Sequence, residues 1–143
     1  MTNRATAAFV FSVIGGAYQM TSLFLAVVVD RSTSFFTYNL GYESLFFTSF
    51  IVIWSASHIL EEWKGRITWP SIILGLGIAS LSTIILSYYG QTSPIFSASN
   101  APSLAAILTL ISGPVLIIFG GILGFSAVRQ YSREHGRAVI ARA

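Results

Sequence analysis

The sequence predicts an all-α integral membrane protein, a four-helix transmembrane bundle with short loops and both termini on the cytoplasmic side. Three observations carry this expectation. Charged residues make up 9% of a chain that is 54% hydrophobic, whereas a soluble domain carries roughly 25% charged residues to keep its surface wet. The apolar residues fall in runs of the length that crosses a bilayer, roughly 20 residues at about 1.5 Å each. Lysine and arginine gather at those run ends that share one side.

The first span is expected at about residues 5–29, directly after Arg4. It is longer than the roughly 7 to 15 apolar residues of a secretory signal, and no small-x-small cleavage site follows it before Asp30, so it is expected to stay in the protein. The second, about 44–60, is charge-free and rich in Phe, Ile and Trp. It sits at the short end of the spanning range, so it should cross with little tilt.

After Arg66 no charged residue appears until Arg129, an interval too long for one helix. The break falls where Gly90-Gln-Thr-Ser-Pro94 and Ser97-Ala-Ser-Asn-Ala-Pro102 collect the residues that stop helices and make turns. This gives a third span at about 70–89 and a fourth at about 103–128. Pro70 suits a first helical turn, where a missing N–H costs nothing. Residues 1–143 thereby read as a single four-span domain.

Orientation follows from the basic residues. With the amino terminus inside, Arg4, Lys64, Arg66, Arg129, Arg133, Arg137 and Arg142 lie in cytoplasmic segments and only Arg31 lies outside. Trp63, Trp69 and Tyr131 then fall at the inner interface, and Tyr38, Tyr42, Tyr88 and Tyr89 at the outer one. The expected location is the cell membrane, multi-pass. The net charge of +3 is accounted for by these flanking residues, so no nucleic-acid partner is expected.

Helices in lipid associate largely where small residues let backbones approach. Ser71, Gly75, Ala79, Thr83 and Ser87 recur every four residues along one face of the third span. The fourth span has Gly113, the doublet Gly120-Gly121, and Gly124; the first has Ala8, Ser12 and Gly16 in one register. These stripes serve either the bundle or a partner, and internal packing is the expectation. Pro114 should kink the fourth span, because it leaves the carbonyl of Leu110 without its usual donor.

Chemistry is sparse. No Asp, Glu, Lys or Arg lies in any span core, which leaves nothing for an ion-coupled proton relay. With no cysteine there is no disulfide and no thiolate site. His58, about one turn from the inner end of the second span, is the candidate cofactor-binding residue, suited to haem ligation or to a quinone carbonyl. A haem held by two histidines would need His135, which lies beyond the fourth span. Glu61 and Glu62 form a charge-balanced turn with Lys64 and Arg66. Tyr18 and Gln19, mid-span, form a candidate polar membrane site, since buried amides and phenols must find partners in lipid.

No phosphate loop, zinc motif or nucleophile elbow is present, so neither an enzyme nor a cofactor or metal is expected. The reading is a non-catalytic accessory subunit of a larger membrane complex, such as a respiratory or other redox complex. Its partners are the lipid bilayer and either other membrane subunits or further copies of itself. Two alternatives are a small homo-oligomeric transporter or channel using Ser12, Tyr18, Gln19 and Pro114, and a haem- or quinone-binding anchor using His58.

Overall fold

The structure, a computed structural model, describes residues 3–28, 41–62, 66–91 and 104–140. They form four helices: α1 (Asn3–Val28), α2 (Gly41–Glu62), α3 (Thr68–Gln91) and α4 (Leu104–Ile140). No strand occurs among the described residues. The two expected outer loops, Trp63, Lys64 and the chain ends lie outside them. So do the side chains of Glu61, Glu62, Tyr88, Tyr89, His135 and Arg137.

Three helices are long and apolar enough to cross a membrane, over Arg4–Leu25, Thr68–Leu86 and Leu108–Glu134. The apolar stretch described in α2, Ser44–Ile59, is shorter, although the helix itself runs 22 residues, about 33 Å. Pro70 sits in the first turn of α3, where Ser71 N–H closes the opening hydrogen bond onto Ile67 O at 3.1 Å. At the other end of the chain, α4 runs 37 residues, well past the span boundary expected near 128. Nothing between Val128 and Ile140 breaks a helix strongly, and Gln130 Nε2 donates to Glu134 Oε1 one turn on, at 2.9 Å.

The helices form a ring of antiparallel neighbours: α1 packs most extensively on α4, then α4 on α3, α1 on α2, and α2 on α3. Neither diagonal pair packs extensively. Two glycine doublets let one helix approach two neighbours at once. A Cβ added at Gly15 would come within 2.8 Å of Ile117 N on α4, and one at Gly16 within 2.8 Å of Ile53 on α2. In α4, a Cβ at Gly120 would press on Ser12 and Ala8 O of α1, and one at Gly121 would lie 2.8 Å from Leu74 of α3. Close approach of backbones, rather than interlocking of large side chains, sets these spacings.

The interior holds two apolar clusters. Val52, Ala56, Ile59, Ile73 and Ile117 form one, and Leu23, Leu45, Ile84 and Leu110 the other. The remaining buried positions include Ser12, Gln19, Ser22, Ser49, Ser55 and Ser80. Many large apolar side chains point outward as well: Leu86 is 70% exposed, Phe47 68%, Phe50 64% and Trp54 56%. Large apolar side chains exposed on the outer surface while Gln19 and several serines are buried is not the pattern that water selects.

Candidate functional site

Gln19 lies at the centre of the bundle, 1% exposed. Its Nε2 donates to Leu45 O of α2 at 3.1 Å and to Ser80 Oγ of α3 at 3.3 Å. Ser49 Oγ donates to the same Leu45 carbonyl at 2.9 Å. On the fourth side stands Gly113, where an added Cβ would lie 2.8 Å from Gln19 Cβ and 3.0 Å from its Cα. One side chain is thus in touch with all three other helices. This polar layer involves Leu45 on α2 and Ser80 on α3, with an apolar cluster towards each end of the bundle.

The Gln19 donor hydrogens are satisfied, but its Oε1 is buried with no hydrogen-bond partner among the described residues. An amide in that state lowers its energy only when water or another donor reaches it. The hydroxyls nearby look after themselves: Ser12 Oγ donates to Ala8 O at 2.7 Å, within its own helix.

Tyr18 does not join Gln19. It is 39% exposed on the outer surface of α1, as it must be when its sequence neighbour points to the axis, because one residue turns a helix by about 100°. The expected pairing of Tyr18 and Gln19 in one site is therefore replaced by a layer of Gln19, Ser49 and Ser80. Ser12 is buried against α4, and Pro114 is buried within an α4 that continues through it.

The small-residue stripes divide. Gly113, Gly120 and Gly124 face the interior, and a Cβ added at Gly124 would lie 3.0 Å from Pro70. Gly75 and Ala79 are exposed, and nothing lies within 4 Å of a Cβ at Gly75. Thr83, on the same line, donates back to Ala79 O at 2.9 Å. Internal packing was the expectation for all of these. It fails for Gly75 and Ala79 because the inward face of α3 runs through Pro70, Ile73, Gly77, Ser80 and Ile84, and the 71-75-79-83 line is turned away from it.

His58 belongs to an aromatic cluster on the α2–α3 seam. Its ring stacks on Trp69 at 4.6 Å and 15°, and meets Trp54 edge-on at 4.9 Å. Trp54 and Trp69 are themselves in edge contact at 5.9 Å. The imidazole is therefore occupied by two indoles, a packing role for aromatic rings. Among the described residues no group of three or more His, Asp and Glu is placed to hold a metal.

Among the described residues, the same end of the bundle carries Arg4, Arg66 and Arg129. Arg4 Nη1 donates to Ser126 Oγ at 2.6 Å, tying the start of α1 to α4 one turn before the exposed Arg129. A cleft beside them is lined by Ala5, Ile59, Arg66, Trp69, Pro70, Gly124, Ala127 and Val128. No family model, curated protein or solved structure matches this chain.

Proposed function

We infer that the chain is a multi-pass integral membrane protein with both termini cytoplasmic, serving as a non-catalytic accessory subunit that docks in a larger membrane complex through α3. Its inverted distribution of side chains supports the bilayer placement, because exposed Phe47, Phe50, Trp54 and Leu86 are stable against oil and not against water. The hydroxyls agree. Even the outward Thr21, Thr48, Ser71 and Ser112 donate to carbonyls four residues back, at 2.6 to 2.9 Å, which satisfies them where water is absent.

One observation carries the docking role: Gly75, alone among the glycines whose surroundings are described, meets nothing. Within this fold, glycine is used where helices touch. A line of Ser71, Gly75, Ala79 and Thr83 on the outer face of α3 therefore has the chemistry of a helix-packing seam without an occupant. A lipid-facing helix has no need of small residues; large apolar ones serve better, as on α2.

The transporter reading draws less support, since Gln19 and Ser80 lie between two apolar clusters, one towards each end of the bundle. The haem reading draws less as well, because the His58 ring is committed to Trp54 and Trp69. The test is purification of the full chain from its native membranes in mild detergent. Retention with larger membrane subunits, lost in Gly75→Leu while helix content is unchanged, is the expected result. Migration alone as a monodisperse species, with or without the substitution, sinks the docking role.

A further inference from the structure

The geometry points to a binding site for the phosphate of an anionic phospholipid in the cleft at the basic end of the bundle. The floor of the cleft is apolar and tight: Ala5, Ile59, Pro70 and Val128, with Ala5 and Ile59 only 1% and 2% exposed. Its rim is Arg66 and Trp69. The indole nitrogen of Trp69 is buried and has no hydrogen-bond acceptor among the described residues. A buried N–H without an acceptor is costly, and any oxygen brought to it recovers that cost.

Three further features set the sign of the occupant. Thr68 opens α3 beside Arg66 and Trp69, so the partial positive charge of a helix N-terminus lies at the cleft. Arg4 is held beside it by Ser126, the residue preceding the cleft's Ala127, and Arg129 follows Val128. Around the cleft, the described charged side chains are those of Arg4, Arg66 and Arg129. The balance favours an anion.

Size then selects the kind of anion. The cleft holds about 10 Å³ of room, the space of roughly one water. It accepts a single oxygen atom and leaves the rest of the ligand outside. A phosphodiester fixed in the bilayer suits this: one oxygen enters towards Trp69, its charge faces Arg66, and its acyl chains lie on the apolar flank of the helices. A zwitterionic headgroup would bring its own cation against the arginines and bind less well. The inference rests on the bilayer placement and is independent of docking through α3.

The full-length protein in dodecylmaltoside micelles is titrated with dioleoylphosphatidylglycerol, with dioleoylphosphatidylcholine, or with sodium phosphate, and bound lipid is counted by native mass spectrometry. Phosphatidylglycerol is expected to bind more tightly than phosphatidylcholine. Arg66→Gln is expected to weaken the anionic lipid about fivefold, and Trp69→Phe, which keeps a ring on His58, to weaken it with helix content unchanged. Arg66→Lys, which keeps the charge, should retain most of the preference. Equal binding of the two lipids, or full anionic binding by both Arg66→Gln and Trp69→Phe, overturns the site. Competition by sodium phosphate at lipid-like concentrations overturns the lipid and assigns the cleft to a free anion. Loss of the α3 partner with the lipid preference intact would count against the docking role alone.

Discussion

Gln19 on α1 reaches across the bundle to Ser80 on α3, 3.3 Å from amide nitrogen to hydroxyl, although these two helices do not pack extensively on each other. The bond joins a diagonal pair through the polar layer, and the same amide also holds the α2 backbone at Leu45. It fixes which residues stand at one depth. Its energetic value is a separate matter.

Interhelical hydrogen bonds in membranes average about 0.6 kcal/mol and reach about 1.7. Gln19→Leu should therefore lower stability by no more than about 1 to 2 kcal/mol in a detergent unfolding titration, with helix content preserved. A loss above about 4 kcal/mol would mean that the layer holds the fold together rather than setting its register.

The glycines of the doublets should matter more. Gly121→Ala places a methyl against Leu74 backbone atoms at 2.9 Å, and Gly113→Ala presses on the Gln19 backbone at 3.0 Å. Backbone cannot rotate out of the way, so each should cost about 1 to 3 kcal/mol. Gly75→Ala should instead leave the isolated bundle unharmed or slightly firmer, since alanine is the better helix former by about 1 kcal/mol. Equal destabilisation at positions 75 and 121 in thermal melts would show that α3 is turned differently from the structure.

For His58, packing makes a prediction that ligation does not. His58→Phe should keep the stack between Trp54 and Trp69 and stay close to the parent in stability. His58→Ala should lose about 0.5 to 1.5 kcal/mol of aromatic contact. The purified protein should show no haem absorbance band; a band that disappears in His58→Ala would restore the redox-anchor reading.

The exterior of α2 provides a direct probe of its surroundings. Trp54 is 56% exposed, so in vesicles containing brominated acyl chains its fluorescence should be quenched, and Trp54→Phe should remove much of that quenching. Reporter fusions at the two ends should fall on the same face, since the Arg4–Ser126 bond sets the start of α1 level with the part of α4 that leads into its C-terminal arm. Fusions on opposite faces would end the four-span topology.

Much of the architecture was legible in the sequence, because long apolar runs and the charged residues that bound them mark where helices lie: the starts of α1 and α3 and the long charge-free interval after Arg66 all follow from that. Which way a helix faces was less legible. A four-residue repeat of small residues looks the same on the inner and outer sides, so Gly75 and Gly120 carried one expectation and met opposite surroundings. The inner face of α3, Pro70 to Ile84, mixes Pro, Ile, Gly and Ser and has no distinctive pattern of its own. Gln19 was legible as polar and mid-span, but Ser80 and Ser49 were not, because serine is common on every face. The Gly15-Gly16 doublet was the available signal for α1, in the same form as Gly120-Gly121.

The unbroken length of α4 gives this small protein mechanical reach. Beyond Val128 it continues through Arg129 to Ile140, about 18 Å of further helix. An arm of that length turns a tilt of about ten degrees in the packed part of α4 into a displacement of about 3 Å at its tip. A force applied at the tip is therefore passed to the helix that Gln19, Ser12 and Leu74 all press against.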